Sequence, residues 1–269
     1  MRTFERTSPK EGYFPAMKIS GLLRHIDTFA PFSLAEEWDN PGLLVGNYDD
    51  DIKRIGVCLD VVSEAVIEAE ELGCNVIVAH HPLIFRPVKN ITDQTEQGRT
   101  ILEAIRRNIS IIAAHTNWDK ATGGVNDTLA ALLRLKNVEA LDGFGAWGVL
   151  SPRMKIKHFA EYVKSSWGLS RLDIYTKNRP SAISCVALCG GSGGEFWRSA
   201  KSIGADIYIT ADMKYHEISD AVNDGMTIAL CNHGEMERAS IQQLAVKLEG
   251  CGIETVIIDV KALPQILRI

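Results

Sequence analysis

A short apolar run leads into two adjacent histidines in the segment VIVAHHPLIF, residues 76–85. The β-prone residues 76–79 favour a buried strand, and Pro82 prevents both a helix and further ladder pairing. In open α/β sheets, ligand sites collect at the carboxyl ends of the strands. The segment therefore predicts a buried strand that delivers His80 and His81 to a ligand-binding edge.

Strand and helix patterns alternate on both sides of this segment. Strand-like runs at residues 55–59, 76–79 and 109–114 are separated by helical patterns at 63–72 and 100–108. The same alternation continues through a helix at 155–167, a strand at 184–188, a helix at 195–203, strands at 206–209 and 227–231, a helix at 236–248 and a strand at 255–259. Such alternation is typical of parallel βαβ units. The sequence predicts an α/β protein with two lobes.

The composition is that of an ordinary globular protein, with 46% hydrophobic and 23% charged residues. The net charge of −5 gives no reason to expect a nucleic-acid or membrane surface. No apolar run approaches the roughly 20 residues of a membrane-spanning helix, and the first residues lack the apolar core of a secretory signal. The six cysteines form no CxxC pair, which favours buried free thiols. We therefore expect a cytoplasmic protein.

Three predicted strands end in residues that commonly bind metals. The strand at 109–114 is followed by His115 and Asp119, and the strand at 227–231 is followed by His233 and Glu237. The last two are four residues apart at the start of a helix, so they can share one face. Together with the histidine pair, the sequence offers five ligands: His80, His81, Asp119, His233 and Glu237.

Five ligands exceed what one open catalytic metal normally takes. Imidazoles and carboxylates suit Zn, Fe, Mn, Ni or Co, and the residue types alone do not choose among these metals. A lone histidine in a sheet protein is usually a hydrogen-bonded core or surface residue. Here five of the seven histidines lie at or just beyond predicted strand ends with acids nearby: His80, His81, His115, His216 and His233. We therefore expect two divalent ions per chain, bridged by a carboxylate.

The ligand positions and the alternation divide the chain into four ranges. We expect residues 1–16 to be a polar N-terminal leader and residues 17–145 to be a first α/β lobe that carries the His-His and Asp ligands. Residues 146–225 are expected to form a second α/β lobe. Residues 226–269 are expected to form a C-terminal segment that returns the His and Glu ligands to the metal site.

A glycine-rich turn at residues 190–194 suggests a rival site. It contains a G-x-S-x-G pattern centred on Ser192 in a strand–turn–helix context, as in a hydrolase nucleophile elbow. Asp212 or Asp224 followed by His233 would complete that order of residues. The alternative is a turn that allows tight packing or binds an anion, although Glu195 opposes an anion. We favour tight packing, because a serine hydrolase would leave His80, His81 and Asp119 without a role.

Several polar residues have a simpler interpretation. Asp39, Asp60 and Asp142 are interpreted as helix caps or turn residues. Asp212 could cap the next helix. His216 follows another predicted strand, and it could exchange protons with a substrate or lie on the surface.

The order of these motifs resembles the YbgI-like dinuclear metal proteins, often named GTP cyclohydrolase I type 2 homologues. The resemblance covers residues 17–269 and rests on Trp38-Asp39-Asn40-x-Gly42, Asp60, His80 to Phe85, His115-Thr116-Asn117-x-Asp119, Gly123 to Asp127, Asp212 to His216, and His233-x-x-x-Glu237. It implies two interlocked α/β/α lobes with mixed, largely parallel sheets, and a toroidal homohexamer. It also implies that the five ligands hold two metals, with Glu237 as the bridge.

Two positions depart from the family pattern. Pro41 stands where valine is expected, and Glu195 stands where a small residue is common. Neither is a proposed ligand, so these departures bear on substrate shape. The chain resembles the short form of the family, which lacks an inserted domain.

These features lead to a functional hypothesis. We expect a metal-dependent hydrolase that acts on a nucleotide or related small molecule, with His216 or His115 as the catalytic proton carrier. Hydrolysis of a purine ring, as in GTP cyclohydrolase, is one such reaction. Trp118 would either stack on a base or pack in the core. The alternatives are a non-catalytic metal-binding or regulatory assembly protein and, less favoured, a Ser192 hydrolase.

Overall fold

The computed structural model describes residues 17–178 and 180–260, so the predicted leader at 1–16 lies outside the described residues. The described strands are β1 (Gly42–Val45), β2 (Ile55–Cys58), β3 (Val76–Ala79), β4 (Ser110–Ala113), β5 (Lys136–Leu141), β6 (Gly145–Met154), β7 (Leu172–Tyr175), β8 (Ile183–Leu188), β9 (Ile207–Thr210), β10 (Ile228–Cys231) and β11 (Thr255–Ile257). The described α-helices are α1 (Ile19–Phe29), α2 (Ser63–Glu71), α3 (Glu96–Arg106), α4 (Thr116–Lys120), α5 (Val125–Leu132), α6 (Ile156–Trp167), α7 (Trp197–Ser202), α8 (Tyr215–Asn223), α9 (His233–Arg238) and α10 (Ile241–Glu249).

These strands form two mixed sheets. The first sheet has the order β1-β4-β3-β2-β11, in which only the edge strand β1 pairs antiparallel. The second sheet has the order β5-β6-β8-β9-β10-β7, with β8, β9 and β10 mutually parallel and antiparallel pairings on both sides. The predicted α/β class with mixed, largely parallel sheets is confirmed.

The central strands are apolar along their whole length because both faces of each sheet are packed against other parts of the protein. In β3, Val78 packs into a core between the two sheets, whereas Ile77 packs into an outer cluster with α2 and α3. In β9, Ile209 packs into the same central core and Tyr208 into an outer cluster with α7 and α8. Side chains alternate between the faces of a strand, so a continuous apolar run is what two covered faces require. The central core is shared, and the two lobes interlock through it.

The chain crosses between the sheets more than once. Strand β5 falls inside the predicted range 17–145, yet it pairs with β6 in the second sheet. Strand β10 also lies in the second sheet, whereas β11 pairs in parallel with β2 of the first sheet. The predicted division into ranges stays a prediction, and sheet membership does not follow it strand by strand.

Several elements differ from the predicted ones. The single helix predicted at 236–248 is two helices. Helix α9 starts earlier, at His233, and the helical conformation is interrupted between Arg238 and Ile241, where α10 begins. At that break, both the amide and the hydroxyl of Ser240 donate to the carbonyl of Glu237, at 2.9 and 2.8 Å. The six cysteines are free thiols, as predicted, but only Cys58, Cys74 and Cys189 are buried, and the other three are partly buried. None of the described helices has the length and apolar character needed to cross a membrane.

Candidate metal centre

The carboxyl ends of three parallel strands from each sheet point toward one place. In the first sheet, β2, β3 and β4 lead to Asp60, the histidine pair and His115. In the second sheet, β8, β9 and β10 lead to the glycine turn, Asp212 and His233. Ligand sites in α/β proteins form at such edges. Here two edges supply one site.

His80 occupies the buried floor of this site. Its Nδ1 donates to the carbonyl of Ala114 at 3.0 Å, so Nε2 carries the lone pair of a neutral ring. That nitrogen lies 3.6 Å from Asp119 Oδ1 and 3.7 Å from Glu237 Oε2. Burial lowers the pKa of His80, which favours the neutral ring. A lone pair therefore faces carboxylate oxygens.

Two of these atoms have no hydrogen-bond partner. Both His80 Nε2 and Asp119 Oδ1 are buried and unpaired. Burial and the charge of Glu237 raise the pKa of Asp119 well above its ordinary value. Buried polar atoms in native proteins are almost always satisfied, so this facing pair indicates a missing partner. A cation between them satisfies both atoms, and the donor set therefore fits a metal ion.

Glu237 is the shared acid of the site. Its Oε2 lies 2.8 Å from His81 Nε2 and 2.9 Å from His233 Nε2, and its side chain is only 3% exposed. Helix α9 puts His233 and Glu237 on one face, four residues apart, as predicted. Burial alone raises the pKa of this carboxyl, but the imidazoles around it hold that pKa well below its ordinary value. Glu237 is thus charged and positioned between several rings.

Two of these imidazoles are oriented by a further carboxylate. Asp60 Oδ1 lies 2.7 Å from His81 Nδ1, and Asp212 Oδ2 lies 2.7 Å from His233 Nδ1. Burial lowers the pKa of both rings, but the acids on either side raise it to about 10 for His81 and to about 9 for His233. Metal-binding histidines commonly have such a partner on the second nitrogen, which fixes the ring. Asp60 lies in a bend after β2, in line with its interpretation as a turn residue, but it also orients His81, which that interpretation missed.

His115 is held in the same way. Its Nδ1 lies 2.7 Å from Asp39 Oδ1, while Asp39 Oδ2 accepts hydrogen bonds from the amide and hydroxyl of Thr116. Burial raises the pKa of Asp39, but these hydrogen bonds outweigh it and lower that pKa to about 2. Asp39 was interpreted as a local cap or turn residue; it instead binds the first amide of α4 from a distant part of the chain, and the N-cap residue of α4 is His115. Asp39 also orients His115, which that interpretation missed.

The structure brings six residues together into what we call the ligand cluster: His80, His81, His115, Asp119, His233 and Glu237. Their ligand atoms fall into three overlapping groups, each within 4.8 Å: His80 with His81 and His115; His81 with His233 and Glu237; and His80 with Asp119 and Glu237. All five sequence-predicted ligands are present. His216 is not, because it is exposed on α8 and its ring contact is with Tyr215.

A family model described as Duf34/NIF3 (NGG1p interacting factor 3) matches residues 17–264. The chain belongs to the DUF34/NIF3 family. It is similar to a Lactococcus lactis protein named GTP cyclohydrolase 1 type 2 homolog, at 40% identity over 237 residues, covering 86% of this chain and 91% of the relative. The resemblance predicted from the motifs is confirmed.

Solved structures agree with this family membership. The structure of a Bacillus cereus protein related to NIF3 matches with a TM-score of 0.88 and 25% identity, covering 94% of this chain and 99% of that one. The structure of the protein ybgI matches with a TM-score of 0.82 and 22% identity, covering 91% and 99% of the two chains. The second likeness shows the fold.

In this DUF34/NIF3 chain, the glycine turn packs against the ligand cluster. Gly191 has a φ of +65°, and a Cβ placed on it would lie 2.3 Å from Glu237 Oε1 and 3.2 Å from His233 Cε1. Only glycine fits a left-handed backbone at this distance. The Ser192 hydroxyl donates to Asp212 Oδ2 at 2.9 Å and, among the described residues, makes no hydrogen bond with an imidazole. The prediction of a nucleophile elbow is therefore wrong, and the tight packing of Gly191 against the ligand cluster explains the glycine turn.

A cavity of about 770 Å³ opens beside the ligand cluster. Its lining comes from both lobes and includes His115, Asp142 and Ser192. Asp142, interpreted as a turn residue, also accepts a hydrogen bond from the hydroxyl of Ser199 at 2.8 Å. Trp118 does not reach the cavity, because it is fully buried in the central core. Its predicted stacking role is wrong, and the core alternative is correct.

Proposed function

We propose that this protein is a dinuclear metal-dependent hydrolase of small molecules. One observation carries the proposal: the unpaired Nε2 of His80 faces the unpaired Oδ1 of Asp119 at 3.6 Å inside the protein. The cavity beside the cluster adds room for a substrate. Structural metal sites are closed by protein ligands, whereas catalytic sites keep an open position.

The overlapping groups suggest how two ions would be shared. His80 and Asp119 would hold one ion, His81 and His233 would hold the other, and Glu237 would bridge them. Zn, Fe, Mn, Ni and Co all suit these ligand types. Such a pair lowers the pKa of water and polarises the substrate.

His115 is the proposed proton carrier. Asp39 fixes its Nδ1, so Nε2 is free to accept a proton within the group it forms with His80 and His81. The same carboxylate then stabilises the charged ring, and Thr116 keeps that carboxylate in place. The catalytic role predicted for His216 finds no support in the geometry, since its side chain does not line the cavity.

The proposals for the substrate and the oligomeric state are supported by the relatives in the family. A relative's name supports a GTP cyclohydrolase-like reaction on a nucleotide or related substrate. We propose a toroidal homohexamer on the family resemblance alone. From the composition and net charge we propose a cytoplasmic location with no membrane or nucleic-acid partner. Light scattering of the purified protein tests the hexamer, and cell fractionation tests the location.

Metal content and turnover test the central proposal separately. The protein is loaded in turn with Zn, Mn, Fe, Co and Ni, and elemental analysis should find two ions per chain. The loaded protein is then screened against nucleotides, with and without a chelator. The double variant His80→Ala/Glu237→Ala should lose both ions and activity, whereas His158→Ala, at an exposed histidine of α6, should keep both.

Three outcomes separate the alternatives. Absence of bound ions, or turnover that survives in the double variant, would refute the hydrolase proposal. Two ions per chain without turnover of any nucleotide would favour the non-catalytic metal-binding protein.

A further inference from the structure

The cavity has an aromatic wall on the side of the first lobe. Trp38 and Phe85 meet at 5.8 Å between ring centroids and 71° between planes, and each packs edge-to-face with His115, at 6.5 and 6.0 Å. We call these three residues the aromatic corner. Trp38 is 60% exposed and Phe85 is 39% exposed, although both are large and apolar. Exposed aromatic area inside a concave site is typical of ligand binding.

The aromatic corner adjoins the proposed metals through His115. That ring lies 5.3 Å from the ring of His80 and 5.8 Å from the ring of His81, measured between centroids. A flat ring stacked on Trp38 is therefore placed next to the ligand cluster. The corner is built to position a ring for the chemistry there.

The second lobe supplies a matching aromatic pair. Phe144 and Phe196 are stacked, with centroids 5.6 Å apart and planes at 22°, and both line the cavity. The ammonium of Lys120 lies 5.4 Å from the centroid of Phe144. Aromatic side chains thus line the cavity from both lobes, which fits a planar ligand better than a flexible aliphatic one.

The charged groups around these rings are mostly acidic. Beyond the ligand cluster, the described lining contains the carboxylates of Glu36, Asp142 and Glu195, but only one cation, Lys120. The Lys120 ammonium is already paired with Glu36 Oε1 at 2.5 Å. Proteins bind phosphate chains with arginine, lysine or clustered amides, and the lining contains no arginine among residues 17–178 and 180–260. Exposed carboxylates instead accept hydrogen bonds from amino groups.

We infer that this cavity binds an amino-substituted heteroaromatic ring, as in a nucleoside, and discriminates against nucleoside triphosphates. The inference rests on the metal-dependent hydrolase of the proposed function, but it replaces GTP as the substrate of that site with a nucleoside that carries no triphosphate. Trp38 supplies the stacking face, and the acidic groups receive the amino substituents. Apart from the proposed metal ions, the described lining residues offer no free cation for the several negative charges that a triphosphate would bring beside Asp142 and Glu195.

Binding measurements test this inference without relying on turnover. Calorimetry on the full chain compares guanosine, GMP and GTP at physiological salt, with metal-loaded protein and again with EDTA. We expect guanosine to bind at least about tenfold more tightly than GTP. Trp38→Ala should weaken guanosine binding about tenfold or more, as for other base–aromatic stacks, and Trp38→Phe should restore most of it. Tyr48→Ala is the matched control, since Tyr48 is also 60% exposed but lies outside the lining.

A second variant tests the electrostatic part. Glu195 is exposed at the cavity, and Glu195→Gln should strengthen GTP binding several-fold, whereas guanosine binding should not tighten because guanosine carries no phosphate. Tighter binding of GTP than of guanosine by the wild type would overturn the inference. So would equal effects of Trp38→Ala and Tyr48→Ala, or absence of guanosine binding up to its solubility limit. Because Trp38 is not a proposed metal ligand, Trp38→Ala should weaken guanosine binding in EDTA as well. A failure of the ring-binding inference can therefore be told apart from a failure of the protein to bind metal.

Discussion

Replacing Gly191 by alanine adds one methyl group to the wall of the ligand cluster. The new Cβ would lie 2.3 Å from Glu237 Oε1, where ordinary contact begins at 3.4 Å. The carboxylate of Glu237 therefore has to move by about 1 Å, well beyond the ±0.2 Å over which metal–ligand distances vary. Only side chains have to move, namely the Glu237 carboxylate and, by a few tenths of an ångström, the His233 ring, so we expect the variant to fold.

Two costs can be separated in this variant. Alanine at a φ of +65° adds about 1–2 kcal/mol of left-handed strain, which lowers the free energy of unfolding. Displacing a proposed bridging ligand should weaken metal binding by at least about 100-fold, or ~2.7 kcal/mol, since disturbing even an outer partner costs 10–100-fold.

The matched control is Gly204→Ala. Gly204 has a φ of +76° with nothing within 4 Å of its Cβ position, so it carries the same strain without the clash. Thermal unfolding should show similar losses for both variants. Competition of Zn²⁺ between the protein and a chromophoric chelator should show weakened binding for Gly191→Ala alone. Wild-type affinity in Gly191→Ala would refute the reasoning.

Three further perturbations test other parts of the structure. Asp60→Asn should lower metal affinity about 10–100-fold in the same chelator competition, because it weakens the partner that orients His81; unchanged affinity would contradict that role. Ser192→Ala should keep metal-dependent turnover, whereas a serine hydrolase would lose it. Glu96 accepts hydrogen bonds from the amide of Ser63, the guanidinium of Arg99 and the hydroxyl of Ser63, and these lower its pKa to about 2. It therefore stabilises the fold above its unfolded pKa of 4.5, and this contribution disappears as pH falls toward 2. Urea unfolding should show Glu96→Gln less stable than the wild type by up to about 1 kcal/mol at pH 7 and equal to it near pH 2; a gap independent of pH would contradict this.

The sequence predicted the buried strands because their environment leaves a clear pattern. Strands β2, β3 and β4 are buried along their whole length, so each appears as a continuous apolar run. Strand β5 was missed because all but its last residue is exposed, and its polar residues resemble a loop. The strand β7 lies at an edge of its sheet and is only partly buried, which weakens the same signal.

The ligands were predictable for a related reason. His80 and His81 directly follow a buried strand, and the spacing of His233 and Glu237 matches one helical turn. The orienting acids gave no such signal, since Asp60 and Asp212 look like any carboxylate after a strand. Their roles depend on contacts with residues 21 positions away along the chain, which sequence spacing does not reveal. The structure does not bring His216 to the ligand cluster, because a position after a strand does not fix where a helical side chain points.

The two-sheet origin of the ligand cluster also sets an order of events during synthesis. His81 and Glu237 are 156 positions apart, so the cluster closes only after residues well beyond the first lobe have emerged. Strand β2 likewise stays an open edge until β11 arrives to pair with it. Long-range closure of this kind is slow compared with local folding. Metal binding would therefore indicate that both sheets have formed. An ion that arrived earlier would find only some of its ligands in place.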